Sequence, residues 1–178
     1  MESTIPLTPR EAAALLRASA ASVRAELIGL PPTLAAWHPA PEEWCAKEVL
    51  GHLIEAEQRG FAGRIRQILA ASEAGPPLQF SAWDPAAVAR ERRDCAREVG
   101  ALLDELDGLR KASIALVADL GASDLGRGGH HPTVGHLRIG DLLHEWVHHD
   151  RNHLKQILTN VQAFAWPHMA NAQKFSGD

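Results

Sequence analysis

Four stretches of the chain place apolar residues at intervals of three and four positions, the spacing typical of amphipathic helices. The first predicted helix opens at Thr8, where a capping hydroxyl is followed by Pro9 and by Glu11, the carboxylate of a capping box. The apolar pattern continues to about Gly29. Two prolines follow at once and are expected to end the helix, because proline lacks a backbone N–H.

Three more helices are predicted, and glycine- and proline-rich segments separate them. Glu42 and Glu43 place two carboxylates in the first turn of the second helix, where the helix dipole favours them. Gly108 is a candidate kink inside the third helix. The segment 121–137, rich in glycine and histidine, is predicted to be a surface loop, and no segment alternates convincingly as a strand does. The predicted helices 41–71, 84–120 and 139–164 therefore complete an all-α four-helix bundle.

The chain has 178 residues, enough for one domain with a sizeable core and no disulfide framework. We predict a single domain over 1–178 with its helical core at about 8–164. A net charge of −4, with cationic and acidic residues interspersed, argues against a nucleic-acid partner. No apolar run approaches the roughly 20 residues that span a membrane. We therefore expect no membrane partner and a cytoplasmic location.

Two cysteines lie far apart, and both Cys45 and Cys95 fall within predicted helices. This is not the dense spacing of a disulfide scaffold. A small buried residue is the simplest interpretation of Cys95. Cys45 lies on the same helical line as His52, so a role near a site stays open for it.

Two histidines in the last predicted helix lie on one face. His149 and His153 are four residues apart, which stacks their rings about 5–6 Å apart on a helix. At about 100° per residue both border the apolar arc centred on Leu142. His144 and His148 fall on the far side and are predicted to be solvated. The inward pair is therefore the candidate metal-binding pair.

A third histidine, His52, borders the apolar arc of the second predicted helix. Ligand sites of helical bundles are built between facing helices, so His52 can meet His149 and His153 there. Imidazole is the commonest protein ligand for zinc, nickel and copper. The alternative is a chance pair among ten histidines, with the inward rings hydrogen-bonded in the core.

Charged residues also fall inside the apolar arcs, where an unpaired charge is unfavourable. Glu57 and Arg64 lie in the buried arc of the second helix and Asp150 in that of the fourth, so we expect all three to be paired. Glu57 and Asp150 either join the helices in a structural network or orient the ligand imidazoles as outer partners. Glu55, near His52 on the more polar side, is a weaker candidate for a fourth ligand or a general base.

Two segments together resemble the DinB-like superfamily of bacterial four-helix proteins, including the branch with bacillithiol-transferase-like proteins and metal-dependent hydrolases. They are WCAKEVLGHLIEAE at 44–57, and HPTVGHL at 131–137 followed by HDRNH at 149–153. The likeness covers nearly the whole chain in order, and Cys45 departs from the small polar residue that is common after the tryptophan. It implies a DinB-like four-helix bundle, three metal-ligand histidines at His52, His149 and His153, and a homodimer.

The expected chemistry follows from three neutral imidazoles, which leave a tetrahedral metal with one open position. A water or a thiol bound there is acidified towards neutral pH. We expect zinc or nickel, a small-molecule substrate that includes a low-molecular-weight thiol, and hydrolysis or thiol transfer, with thiol transfer favoured by the family branch. The alternative is a non-catalytic, stress-associated, homodimeric metal-binding module. A cavity beside the histidines would favour the enzyme.

Overall fold

The computed structural model describes residues 6–72 and 74–176, so the two ends of the predicted domain lie outside the described residues. Helix α1 covers Pro9–Ile28, close to the prediction. The Glu11 N–H donates to Thr8 Oγ1 at 3.3 Å, and the Thr8 N–H donates to Glu11 Oε2 at 2.8 Å. The predicted capping box is therefore confirmed. One further turn of helix, α2, spans Pro32–Ala35 and was not predicted.

The second long element begins later than predicted. Helix α3 covers Ala46–Glu55 with Cys45 at its N-cap, so the predicted start near residue 41 is wrong. The cap explains the difference, because the Cys45 N–H donates to Glu48 Oε2 at 2.9 Å and completes the helix terminus there. The four residues before Cys45 are non-helical, with a turn at Pro41 and Glu42.

The same element contains a wide turn that the sequence did not predict. The π-helical segment Ala56–Phe61 joins α3 to helix α4, which covers Ala62–Ala70. Such segments are rare and occur often at functional sites. They need space where the backbone bulges, and here a β-carbon on Gly63 would collide with the carbonyl oxygen of Gln58. Gly63 therefore allows the turn that follows His52.

The third predicted helix is two helices. Helix α5 covers Pro85–Arg92 and helix α6 covers Val99–Ala118, with the 3-10 turn Asp94–Ala96 between them. The chain breaks at Arg93, whose φ of 52° is left-handed. The predicted continuous helix is wrong there because buried Asp94 accepts hydrogen bonds from arginine side chains on both sides of the break. Helix α6 runs without interruption through Gly108.

The segment predicted to be a surface loop forms a 3-10 turn and a hairpin. After the turn Asp124–Gly126, strand β1 (Gly128–His131) pairs antiparallel with strand β2 (Gly135–Arg138). His130 also exchanges backbone hydrogen bonds with Leu78 and Phe80. The prediction of no strand was wrong because these strands are short and are held by backbone pairing, with no alternating apolar face.

Helix α7 covers Ile139–Ala165, one residue beyond the prediction, and the 3-10 turns Trp166–His168 and Ala170–Phe175 follow.

Helices α1, α3–α4, α6 and α7 form the bundle. Helix α1 packs on α6 and α7, and α3 also packs on both. One core cluster surrounds Trp146 and another surrounds Leu50. In the described part of the chain no helix is long and apolar enough to cross a membrane.

Candidate metal centre

Helices α3 and α7 bring the three predicted ligand histidines together. One ring nitrogen from each of His52, His149 and His153 lies within 4.8 Å of the others. Nε2 of His52 is 3.0 Å from Nε2 of His149. The His153 ring centroid is 4.5 Å from that of His52 and 4.4 Å from that of His149. The rings meet at one point between the two helices.

The arrangement of the ring nitrogens fits a shared cation. Two facing lone pairs repel, so the nitrogens of His52 and His149 at 3.0 Å need a proton or a cation between them. Two ligands of tetrahedral zinc, at about 2.0–2.1 Å from the metal, lie about 3.3 Å apart. On His153, Nδ1–H donates to Gln156 Oε1 at 2.9 Å, which leaves Nε2 with a free lone pair. The donor set suits zinc or nickel.

The surroundings keep these imidazoles neutral. Burial, followed by the neighbouring rings of His153 and His149, lowers the pKa of His52 to about 3. Burial also lowers the pKa of His149 to about 3, with smaller contributions from His153, Arg110 and His148. The pKa of His153 is lowered by burial as well. Neutral rings are the form that binds metal, so protons do not compete for this site near neutral pH.

Aromatic side chains position two of the rings. Trp44 lies beside His52 with ring centroids 5.0 Å apart, and Trp83 stacks on the same imidazole at 5.9 Å. Phe61, from the π-helical segment, meets the edge of His149 at 5.1 Å. Trp83 is in the linker before α5, and periodicity could not place it. Its stacking on His52 is a tertiary contact.

The other two histidines of α7 behave as predicted. His144 and His148 are exposed, whereas His149 and His153 are partly buried. The His144 Nδ1–H donates to the carbonyl oxygen of Gly140 at 2.7 Å. The helical arithmetic that separated the inward pair from the outward pair is therefore confirmed.

Glu57 and Asp150 are paired, as expected, through a residue that the sequence did not single out. Arg110 of α6 is 2% exposed, and its Nε donates to Glu57 Oε1 at 3.0 Å. Its Nη1 donates to Asp150 Oδ2 at 2.6 Å, and the Ser19 hydroxyl donates to the same oxygen at 2.5 Å. The network joins α1, α6, α7 and the π-helical segment. These contacts correspond to the structural interpretation of the two carboxylates.

The outer-partner interpretation of the same carboxylates lacks the contacts that it needs. Within residues 6–72 and 74–176, no side chain or carbonyl accepts a hydrogen bond from Nδ1 of His52 or His149. The carboxylates of Glu57 and Asp150 accept hydrogen bonds from Arg110 instead. The carboxylates therefore do not hold the two rings, and aromatic packing positions them.

Glu55 also has other partners. Its carboxylate is buried and accepts from Arg59 Nε at 2.5 Å and from Arg92 Nη1 at 2.9 Å. It does not line the cavity beside the histidines. A carboxylate held by two guanidinium groups is poorly placed to take a proton from substrate, so the structure favours a role for Glu55 in tying α3 to α5.

A cavity of about 690 Å³ opens beside the three histidines, within the size range of small-molecule sites. The hairpin closes one side of it and the linker before α5 another. Its walls are mostly apolar, with Arg64, Asp141 and Glu145 as charged groups in the lining. The lining also includes Phe61, Trp83, His131, Val134 and Leu137.

Arg64 was expected to be paired, and that expectation is wrong for the described residues. Its guanidinium lies 5.5 Å from the centroid of the Phe80 ring, and no carboxylate of residues 6–72 and 74–176 forms an ion pair with it. Burial lowers its pKa. Arg64 has no carboxylate partner among the described residues because the π-helical segment rotates α4 and turns Arg64 towards the cavity. A half-buried cation there is open to an anionic ligand.

Two cavity residues were missed by sequence reasoning. Glu145 precedes His149 by one helical turn, so the spacing that selected the histidine pair could also have found it. His131 lies in the segment predicted to be a surface loop, and only the hairpin places it in the cavity wall. Among the described residues, the cluster formed by His52, His149 and His153 includes no histidine of that segment.

Comparison with known proteins agrees with this architecture. A family model of the DinB superfamily matches residues 15–157. A solved structure with the same fold is YfiT from Bacillus subtilis, described as "a probable metal-dependent hydrolase with an unusual four-helix bundle topology". It is 18% identical in sequence, with a TM-score of 0.80 over 93% of this chain and 93% of that chain. No curated protein matches the chain. The family match covers most of the chain, and the chain therefore belongs to the DinB superfamily.

Proposed function

We propose that this protein is a metal-dependent enzyme in which His52, His149 and His153 hold one divalent cation, zinc or nickel. One observation carries the proposal: three neutral imidazoles converge at the wall of a 690 Å³ cavity that small molecules can enter. A purely structural metal site is usually closed by four protein ligands. Here three histidines form the cluster, and the cavity adjoins them. The description of YfiT as a probable metal-dependent hydrolase supports the same conclusion.

Hydrolysis is the reaction that the cavity supports best. A divalent cation with an open position supplies Lewis acidity and lowers the pKa of a bound water or thiol towards neutrality. Glu145 is the exposed carboxylate of the lining, one turn before His149. Asp141, the other carboxylate, already accepts hydrogen bonds from Arg138. Glu145 is therefore the better proton acceptor for an attacking water.

The charged and apolar walls define a substrate class. Arg64 offers a guanidinium that no described carboxylate neutralises, and such a group binds carboxylates and phosphates in a bidentate manner. Phe61, Val134 and Leu137 supply apolar surface on other parts of the wall. We infer a small substrate with one anionic group, an apolar body and a hydrolysable ester or amide bond.

Thiol transfer is the second candidate. The neutral ligand set leaves the charge of the cation uncompensated, and Arg64 adds another positive charge to the cavity. Both favour an anionic thiolate, which is the nucleophile in transfer to an electrophile. A low-molecular-weight thiol that carries a carboxylate would bind the Arg64 guanidinium through that carboxylate, as proposed for the anionic group of the hydrolytic substrate.

The test is a paired screen of metal-loaded protein. Small anionic esters and amides form one panel, and low-molecular-weight thiols with a halobimane or chloronitrobenzene acceptor form the other. We expect turnover that depends on the metal and that His52→Ala removes. Turnover in the ester panel supports hydrolysis, and turnover in the thiol panel supports transfer. No turnover in either panel, from protein shown to hold its metal, would favour the non-catalytic homodimeric module.

The substrate class is tested at Arg64. Replacing Arg64 with methionine keeps most of the stem volume and removes the charge, so KM for anionic substrates should rise by about 10-fold or more, as expected for the loss of one charge-assisted hydrogen bond. Arg66→Met is the matched control, because Arg66 is exposed on the same helix. Equal effects of the two substitutions would contradict anion binding by Arg64.

A further inference from the structure

A second cluster of ligand atoms lies at the other end of α3 from the π-helical segment. Sγ of Cys45, Sγ of Cys95 and a ring nitrogen of His38 lie within 4.8 Å of one another. The three residues come from separate segments: the loop before α3, the N-cap of α3 and the 3-10 turn before α6. Cys45 and Cys95 are 50 positions apart in the chain, and nothing in their spacing predicted that they meet.

We propose that His38, Cys45 and Cys95 form a second metal site, specific for zinc or another soft cation and separate from the three-histidine centre. Two thiolates and one imidazole are a common zinc ligand set. Thiolate ligands select zinc or copper(I) over hard cations such as magnesium.

The histidine is held in the tautomer that a metal ligand needs. His38 Nδ1 lies 2.8 Å from the carbonyl oxygen of Glu43. A carbonyl only accepts, so Nδ1 carries the proton and Nε2 has the free lone pair. A ligating histidine usually donates its other N–H to a carbonyl or carboxylate in this way. The Glu48 carboxylate lies 3.5 Å from the same Nδ1 and further favours the protonated nitrogen.

The free nitrogen faces a thiol at the distance that two ligands of one ion would have. His38 Nε2 is 3.6 Å from Cys95 Sγ. With zinc–sulfur at about 2.3 Å and zinc–nitrogen at about 2.0–2.1 Å, the two ligand atoms of a tetrahedral site lie about 3.6 Å apart. The observed separation therefore needs little rearrangement for metal to bind.

Cys45 is a buried thiol at a helix N-terminus. It occupies the N-cap of α3, the positive end of the helix dipole. Burial and the neighbouring Cys95 raise the pKa of the Cys45 thiol, so this side chain is a thiol at neutral pH when no metal is bound. Binding of one zinc ion forms two zinc–sulfur bonds and releases the two thiol protons to solvent.

Access to the cluster comes from the histidine side. Cys45 is fully buried, Cys95 is partly buried and His38 is exposed. A cation can therefore enter past His38, and a solvent molecule can complete the coordination. Cys45 lies seven residues before His52 on the same helix, so zinc at this site would fix the end of α3 that precedes the three-histidine centre.

The experiment counts metal at each site separately. Reduced, tag-free protein is stripped with a chelator, reloaded with zinc and analysed for its metal content. A second sample is loaded with cobalt to identify the ligand type. Thiolate ligands give cobalt a strong near-ultraviolet charge-transfer band, and imidazole ligands do not. We expect about two zinc ions per chain, one for each ligand cluster. Cys95→Ser or His38→Ala should remove one zinc. Cys95→Ser should also remove most of the band, because cobalt then no longer binds at this site.

The controls separate this site from the first. His52→Ala should remove the other zinc and leave the thiolate band in place, whereas exposed His136→Ala should change neither. Circular dichroism melting confirms that each variant is folded. One zinc per wild-type chain with no thiolate band would overturn the proposal. So would a Cys45–Cys95 disulfide that persists under reduction, seen as a mass two hydrogens lower.

Discussion

Nε2 of His52 lies 3.0 Å from Nε2 of His149, although 97 positions of the chain separate the two residues. Burial keeps both rings neutral, so either one Nε2–H donates to the other Nε2 or a cation lies between the two nitrogens. A neutral pair has one proton per ring, and Nδ1 of each ring has no described partner. A divalent cation would bind the lone pairs of both Nε2 atoms, and Nδ1 of each ring would then carry the ring proton.

The first prediction uses the four histidines of α7 as an internal comparison. His149→Ala or His153→Ala should reduce zinc affinity at the three-histidine site by more than about 100-fold, beyond what loss of an outer partner costs. His144→Ala and His148→Ala should leave it nearly unchanged, because both side chains are exposed on the opposite face. Isothermal titration of protein carrying Cys95→Ser measures this site alone. Equal losses from both pairs would contradict the inward assignment.

The second prediction concerns pH and the metal-free protein. His52 and His149 have folded pKa values of about 3, against about 6.5 in an unfolded chain. Below pH 6.5 the unfolded state therefore takes up protons that the folded state does not. The free energy of unfolding should fall as pH drops from about 6.5 towards 3, and these two groups should add no slope above pH 7.5.

Urea denaturation at a series of pH values measures this dependence. Carboxylates titrate in part of the same range, so the informative quantity is the difference between the wild type and the double variant His52→Phe, His149→Phe. The variant should lose stability less steeply between pH 6.5 and 5. Parallel curves would show that the two imidazoles are not kept neutral by the fold.

The third prediction concerns the π-helical segment. Gly63→Ala puts a β-carbon against the carbonyl oxygen of Gln58, so the turn must rearrange. We expect a loss of about 1–3 kcal/mol in the free energy of unfolding, as for other overpacked sites. Zinc affinity at the three-histidine site should fall as well, because Phe61 packs on His149.

Gly108→Ala is the matched control for that substitution. Gly108 lies in α6 with open space around the added carbon, so alanine should stabilise the helix by about 0.5–1 kcal/mol. Thermal or urea unfolding compares the two variants directly. If Gly63→Ala also stabilised the protein and left zinc affinity intact, the π-helical segment would not depend on this glycine.

The fourth prediction concerns the buried ion network. Arg110→Met leaves Glu57 and Asp150 buried without a counter-charge, so unfolding free energy should fall by about 3–5 kcal/mol. Exposed Arg151→Met should change it by less than about 0.5 kcal/mol. Chemical denaturation gives both values. A change below 1 kcal/mol for Arg110→Met would mean that the network adds little to the bundle.

The sequence by itself determined the helical class, the single bundle and the inward pair of histidines. These features are local: the capping box at Thr8 and the face shared by His149 and His153 depend on residues within a few positions of one another. The resemblance carried by the two histidine segments named the family, and the family match confirms it.

Tertiary structure decided the rest, because it depends on contacts between distant parts of the chain. Asp94 breaks the third predicted helix through its arginine partners, and short strands form only because β1 and β2 pair with each other and His130 pairs with the linker at Leu78. Arg110 was not singled out, since an arginine in a helix gives no sign of the carboxylates it will meet. The cluster of His38, Cys45 and Cys95 also depends on tertiary packing. Its members meet only when three separate segments pack together, and the periodicity of the sequence does not predict that contact.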